Sequence, residues 1–382
     1  MEIIKQCVGI DISKETFTAS IAYMKSSRSV YFSEVAGFQN DKSGFNKFLR
    51  WTKSHLHKSS SVTYIMEATG TYFEMLAYHL YNLKKEVAVM LPNMVNHFAK
   101  SLNVKSKTDN EDARVIARMG VERKLMSWCP PEKHFKELRA LSRLYNTLKK
   151  DKTMISNRLS ALNCGHVPCE TSVEIYTKLI VELDEKLTRI EKEMETLLKS
   201  DSELSKKVET LLTIPGVGLK TISLIIGETQ GFKLFKNQRQ LVSYSGLDVV
   251  RTQSGTSVNK RGKISKKGNS HIRAALYFPA LSAARFNDKM KNIYDRINVD
   301  KPNKMIGTVA IQRKMLVLIF SIWKSGTPFD KNYGDDKSDF NAVEDPSSSS
   351  TQRVEKVDGA KPPSTQNEHL RIKAAEVLLR QQ

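Results

Sequence analysis

Through residues 1–120 apolar residues recur with two alternating periods, and the order in which the periods change constrains the fold more than any other feature of the chain. Ile3–Ile12 and residues 16–23 alternate with the two-residue rhythm of strands around the polar turn Ser13-Lys14-Glu15, and residues 30–35 form a third strand candidate. A helical stretch at 43–55 follows, with Phe45, Phe48, Leu49 and Leu56 on one face. Then come a strand at 62–66, a helix at 72–83, a strand at 87–91 and a helix that begins near Asp109. Three antiparallel strands followed by helix and strand in alternation predict an α/β domain.

Four acids occupy the ends of these segments. Asp11 closes the first strand run, Glu67 closes the strand at 62–66, and Asp109 and Asp112 share one face at the start of the last helix. In an RNase H-like (RuvC-like) fold the first acid lies on strand one, the second ends strand four and the others lie on the last helix, so the element order and the acids agree. Carboxylates this close repel unless a cation neutralises them, and oxygen-only ligands suit Mg²⁺ or Mn²⁺. Such a site performs phosphoryl transfer on nucleic acid. A plainer reading makes Asp109 a helix N-cap and Asp112 a charge on the helix dipole, which leaves Asp11 and Glu67 unexplained. Glu111 is a substitute ligand by type, but it lies about 100° round the helix from Asp112.

The charge points the same way. The chain of 382 residues carries a net +20, and residues 1–334 hold 54 Lys/Arg against 32 Asp/Glu. A large polyanion is the natural partner. The length suits two or three units. Cys7, Cys129, Cys164 and Cys169 lack CxxC spacing and read as free thiols of a reducing compartment. His166 between the last two does not complete a zinc site. The longest apolar run, 315–323, is about half of what a membrane span needs and reads as a core helix. No membrane is expected, and the absence of a signal-peptide pattern places the chain in the cytoplasm.

From Leu138 the rhythm becomes heptad. Leu138, Leu141, Tyr145, Leu148, Ile155, Leu159 and Leu162 keep it except at Lys152, and Val173, Tyr176, Ile180, Leu183, Leu187, Ile190, Met194 and Leu197 repeat it. Leu204, Val208 and Leu211 continue the register. Two helices joined by the loop at 164–171 form a coiled-coil hairpin or a dimerisation arm. The expected units are therefore 1–130, a catalytic α/β domain; 131–210, the helical hairpin; 211–329, a mostly α-helical domain; and 330–382, an acidic, polar and disordered tail. A short amphipathic helix is expected at 369–380.

The third unit opens with Ile214-Pro215-Gly216-Val217-Gly218 between two helical segments, the layout of a helix-hairpin-helix, in which Gly216 and Gly218 let backbone N–H groups approach a phosphate. A tight turn uses the same glycines. Lys105 and Lys107 precede the acidic helix, and Arg251, Lys260, Arg261, Lys263, Lys266 and Lys267 surround Ser254, a basic surface for a polyanion. His271 and Arg273 follow as phosphate contacts.

Several motifs together resemble the DEDD transposases of the insertion sequence 110 type. They are Val8-Gly9-Ile10-Asp11-Ile12-Ser13-Lys14, Met66-Glu67-Ala68-Thr69-Gly70, and the stretch from Lys105 through Thr108-Asp109-Asn110-Glu111-Asp112 to Ala113. The C-terminal half adds Ile214 to Gly218, Tyr244-Ser245-Gly246-Leu247, Gln253-Ser254-Gly255, and Ile264-Ser265-Lys266-Lys267-Gly268-Asn269. The similarity runs over roughly residues 5–290. It implies a recombinase that mobilises its own element on bacterial DNA, with Asp11, Glu67, Asp109 and Asp112 as metal-binding and catalytic residues acting alongside a serine. It further implies a structured non-coding bridge RNA that pairs with donor and target DNA, and a dimeric or tetrameric homo-oligomer.

Ser254 is the nucleophile that the match singles out; without the match it reads as an ordinary turn serine, and Ser257 and Ser265 are the alternatives. A site-specific DNA invertase, a RuvC-like endonuclease using water, and a non-catalytic nucleic-acid-binding protein are the competing readings. Hydrolysis needs no serine, and a non-catalytic protein need not keep all four acids.

Overall fold

In a computed structural model, which describes residues 2–57, 61–104, 108–254 and 258–331, the N-terminal strand rhythm becomes β1 (Ile3–Ile12) and β2 (Thr16–Lys25), an antiparallel pair turned at Ser13. The Ser13 hydroxyl donates to the Thr16 carbonyl at 2.8 Å and fixes that turn. The third strand expected at 30–35 is shortened to β3 (Val30–Phe32), and after a break a further strand that sequence reading did not name, β4 (Ala36–Gln39), follows; both are antiparallel to β2. Ser33 causes the break: its backbone N–H donates to Ile21 O while its own hydroxyl, in place of a carbonyl, accepts from Ile21 N, each at 2.9 Å. Beyond β1 lie β5 (Val62–Glu67) and β6 (Glu86–Met90), parallel to β1 and to each other, so the sheet is mixed with order β3-β2-β1-β5-β6.

Helices cover both faces, because the central strands are apolar on both. α1 (Lys42–His55), capped by Asp41, and α2 (Glu74–Asn82) pack Phe45, Phe48, Leu76 and Leu80 against Val8, Ile10 and Phe17. α3 (Pro92–Ser101) and α4 (Asp109–Glu122) pack Val95, Phe98 and Ile116 against Cys7, Ile65 and Ala88. Sequence reading passed over α3, although Pro92 at its first turn is a regular start signal.

The heptads fold as α5 (Lys133–Asn163) and α6 (Glu170–Lys199), an antiparallel hairpin. Lys152, the break in the heptads, ion-pairs with Asp184 across the seam at 2.5 Å. The register does not run on past Asp201. That residue caps a separate helix, α7 (Ser202–Leu212), by accepting from Glu203 N at 3.1 Å. After the turn at Gly216 come α8 (Leu219–Thr229), α9 (Gln238–Ser245), the two-stranded hairpin β7 (Val249–Ser254) and β8 (Val258–Ile264), then α10 (Ser270–Ala275), α11 (Tyr277–Phe286), α12 (Asp288–Asn298) and α13 (Met305–Ser325). The C-terminal half is thus mostly helical, with Ser254 ending a strand rather than lying in a loop.

α13 extends the expected core helix by ten residues at its start. By length and composition it is long and apolar enough to cross a membrane, which corrects the run-length reading: Gln312, Arg313 and Lys314 interrupt the run but not the helix. Half of its apolar window is buried in protein, and Ile311, Met315, Ile319 and Phe320 lie in the core. Met1–Thr327 forms one compact unit and Pro328–Gln382 another, of which only 328–331 are described. Lys105, Lys107, Gly255, Ser257 and the helix expected at 369–380 lie outside the described residues.

Candidate active site

Side chains alternate along a strand, so the face on which Cys7 and Gly9 lie is also that of Asp11, and Ile65 likewise sets the face of Glu67. β1 and β5 run parallel with Ile10 beside Met66, which puts Asp11 and Glu67 next to each other at the carboxyl ends of adjacent strands. α4 lies over that face. A Cβ on Gly9 would stand 2.1 Å from Ala117 N, and one on Gly120 would stand 2.0 Å from the Cys7 sulfur, so helix and strand touch almost backbone to backbone. Ala113, Ile116 and Ala117 are buried there, and one turn toward the N-terminus the same face carries Asp109 and Asp112.

Thr108, not Asp109, caps α4: its hydroxyl accepts from Glu111 N at 3.3 Å. The capping role offered for Asp109 is therefore already filled. Glu111 turns to Arg114 at 3.0 Å, away from ligand duty. The carboxyl of Asp11 is pushed up to about 6, first by burial and then by Asp112, Asp109 and Glu67 in that order. All four acids thus act within one field, and Thr69 adds a hydroxyl to Glu67 at 3.3 Å.

Oxygen donors in a field that resists ionisation fit a hard divalent cation. Among the described residues no three acidic, imidazole or thiol side chains are gathered into a metal-ligand group.

Ser254 lies at the tip of the β7–β8 hairpin, its backbone opposite Val258, and is exposed. Ser265 is engaged instead: its hydroxyl donates to Asp248 Oδ1 at 2.5 Å and its N–H to Asp248 O at 2.8 Å. Arg251, Lys263, Lys266 and Lys267 are exposed along the hairpin and the loop after it, while only the backbone of Lys260 and Arg261 is described. Arg273 is occupied by the fold, donating through Nη1 to Ser245 O at 2.8 Å and Gly268 O at 3.1 Å. Gly216 takes φ +82, and a Cβ there would meet Ser282, whereas Gly218 faces open space as the N-cap of α8.

Sequence reading did not single out Glu228, Arg139 or Arg143. The signal was present as a lone acid in the apolar stretch of α8, and a buried charge requires partners. In the fold Arg143 forks onto Glu228 with Nε to Oε1 at 2.6 Å and Nη2 to Oε2 at 2.9 Å. Burial alone would raise the Glu228 carboxyl. The Arg143 hydrogen bonds, the Arg139 charge and Asn269 outweigh it and hold the group below the ordinary glutamate range.

A transposase family model of the DEDD insertion sequence 110 type matches residues 8–163, and the model described as "Transposase IS116/IS110/IS902 family" matches residues 208–295. A pilin gene-inverting protein of Moraxella bovis is 30% identical over 86% of this chain and 98% of its own length, and its Moraxella lacunata counterpart is 29% identical over the same shares. The transposase for insertion sequence element IS1328 of Yersinia enterocolitica is 23% identical over 69% of this chain and 83% of its own. Among solved structures, an Aquifex aeolicus member of the Ppx/GppA family aligns over 86% of this chain and 92% of that one at 11% identity, with a TM-score of 0.20 that carries no argument. The matched models take in both the carboxylate strands and the opening of the serine-bearing half, and the chain is an enzyme of the IS116/IS110/IS902 family of transposases.

Proposed function

We propose that the chain is a DNA recombinase in which Asp11, Glu67, Asp109 and Asp112 hold Mg²⁺ or Mn²⁺ and Ser254 is the nucleophile. The observation that carries this reading is the seating of α4 on β1, which brings the helix turn of Asp109 and Asp112 near the strand ends that carry Asp11 and Glu67, within one electrostatic field. The N-terminal unit, 1–130, is read as RNase H-like (RuvC-like), supported by the sheet order with β3 and β4 counted as one strand. α5 and α6 are the coiled-coil arm at 131–210, and the turn at Gly216 and Gly218 is a helix-hairpin-helix contacting DNA backbone, supported by the open space at Gly218. Residues 211–329 complete the serine-bearing unit, and 330–382 are a tail. The enzyme acts at the bacterial nucleoid as a dimer or tetramer, guided by a structured non-coding RNA.

Asp11, Glu67, Asp109 and Asp112 would hold a divalent cation, whose chemistry there would be to polarise a phosphate oxygen and offset charge on the oxygen that leaves. Ser254 Oγ gives up its proton and forms a bond to a backbone phosphorus, while the P–O bond to the neighbouring sugar breaks and that oxygen takes up a proton. The serine ester conserves the broken bond until a second strand end attacks it. Exposure at a hairpin tip suits this task better than the engaged hydroxyl of Ser265.

A supercoiled plasmid carrying the element and its guide tests the reading. Asp11→Ala is expected to abolish strand cleavage while DNA binding persists, and wild type should leave a protein–DNA adduct that maps to Ser254. Recombination by Asp11→Ala, or an adduct at Ser265, would sink these assignments. The similarity to pilin gene-inverting proteins favours inversion as the second reading, and product mapping separates it: inverted segments against an excised and re-joined element.

A further inference from the structure

We infer, on the reading that the chain acts on nucleic acid, that Arg139 and Arg143, seated on the buried Glu228 carboxylate and flanked by His271, form a phosphodiester-binding site. The site begins with Gly227. A Cβ there would lie 2.7 Å from Arg139 N, so α8 and α5 cross backbone to backbone, and the next residue, Glu228, is forced beneath the arginines. Its side chain has no exposure, whereas Arg139 and Arg143 remain 44% and 39% exposed.

One carboxylate cannot neutralise two guanidiniums. A single Arg143 fork together with Asn269 Nδ2 at 2.7 Å already occupies the Glu228 oxygens. Arg139 Nε sits 3.3 Å from Oε2 but is a buried donor without an aligned acceptor. Among the described residues, neither Nη group of Arg139 nor Nη1 of Arg143 has an acceptor. The arrangement therefore presents two partly exposed guanidiniums, of which Arg143 has its inner edge fixed by the fork and Arg139 keeps all its donors unfilled among the described residues. Pre-fixed forks match paired phosphate oxygens and lose little entropy on binding.

The surroundings add positive charge and connect the pair to the serine-bearing half. Burial, then the Arg143 charge, hold His271 below its usual range against the opposing Glu228 carboxylate, with Lys150 and Arg139 adding to the lowering. Asn269 holds Glu228 with its amide and caps α10 with its carbonyl, which accepts from His271 N at 2.9 Å. The exposed Lys266 and Lys267 lie on the same loop.

The test is fluorescence anisotropy of the full chain with a labelled DNA duplex and a labelled RNA duplex across a KCl series. Arg139→Ala and Arg143→Ala are each expected to weaken binding and to lower the log–log salt slope by about 0.9, one duplex phosphate. Arg143→Lys keeps the charge and should keep the slope while losing affinity, since the fork is gone. Glu228→Gln raises the net charge by one, so a general electrostatic effect would tighten binding. Seating predicts weaker binding instead. Losses with DNA alone, RNA alone or both support the site and say which backbone it holds. Should Glu228→Gln not fold, Arg139→Ala, whose partner is off-axis, carries the decision. Arginine variants that melt cooperatively and bind like wild type would overturn the site while leaving the recombinase reading intact, as would tighter binding by Glu228→Gln. Failure of wild type to bind either duplex would overturn both.

Discussion

A carboxylate buried beneath two guanidiniums behaves unlike a surface ion pair, and Glu228 and His271 together set how the C-terminal half responds to acid. The Glu228 carboxyl is held below its ordinary range, so its contribution to stability is complete above the unfolded value and is lost as pH falls through the folded one. His271 is also lowered, from an ordinary 6.5. The unfolded chain therefore takes up that proton first, and stability begins to fall as pH drops below 6.5. From these two groups alone the melting profile is flat near neutrality, with a first decline below about pH 6.5 and a steeper one below the ordinary glutamate range, while Asp11, raised to about 6, adds stability as pH falls through that value and partly offsets the first decline. His271→Gln should remove the first limb only, and thermal melts across pH check this. An unchanged first limb would place its origin elsewhere. Glu228→Ala leaves two arginines facing a void and should cost near the low end of roughly 3–5 kcal/mol, because both partners keep solvent contact. The need for partners was legible in the sequence of α8. Which arginines answer it was not, since Arg143 lies 85 positions away and only the Gly227 crossing brings it near.

At the scale of elements, the candidate site depends on how closely α4 approaches β1. Two contacts set that distance, and they differ in what can give way. A Cβ on Gly9 meets the backbone of Ala117, which can only move with the whole helix, while one on Gly120 meets the Cys7 side chain. Both substitutions overpack the layer, at about 1–3 kcal/mol or more, and both should lift Asp109 and Asp112 away from Asp11. Adding Cys7→Ala is expected to restore part of the cleavage and stability lost in Gly120→Ala, because the sulfur is gone and only the Cβ, 2.8 Å away, remains. It should restore nothing in Gly9→Ala. Cleavage rates and melting temperatures of the four variants decide the matter, and equal rescue of both would mean that the glycines do not set the helix position. The succession of strands and helices along the chain, and the positions of the acids within it, were legible because period and position are local properties. The break at Ser33 was not, since a hydroxyl replaced a carbonyl in the ladder, and neither was the cap at Thr108, which sequence alone could not separate from Asp109.

Across the whole molecule one helix joins the two halves. α5 has 31 residues, about 46 Å at helical rise. Near its start Lys136 pairs with Glu74 of α2 at 2.5 Å, about a third of the way along it receives Glu228, and beyond that it enters the arm with α6. The heptads made the arm legible, but the same apolar positions at its base, such as Leu138, also pack on α8, and periodicity cannot tell the two partners apart. Charge is the other property of the whole. Residues 1–334 carry the entire positive excess, and part of it is concentrated on β8 and the loop that follows, around an exposed serine. Replacing Lys260, Arg261 and Lys263 together by Ala removes three of those charges. If β8 lies along the DNA backbone, the slope of log affinity against log salt should become shallower by up to about 2.7, at 0.9 for each duplex phosphate released. Affinity at low salt should fall more than affinity at high salt, because the lost contribution is the screened one. Because Ser254 itself is unchanged, cleavage at saturating enzyme should survive better than binding does. Anisotropy titrations at several KCl concentrations measure the slope, and a triple variant with the wild-type slope would mean that β8 faces solvent in the complex and that DNA approaches the serine from another side.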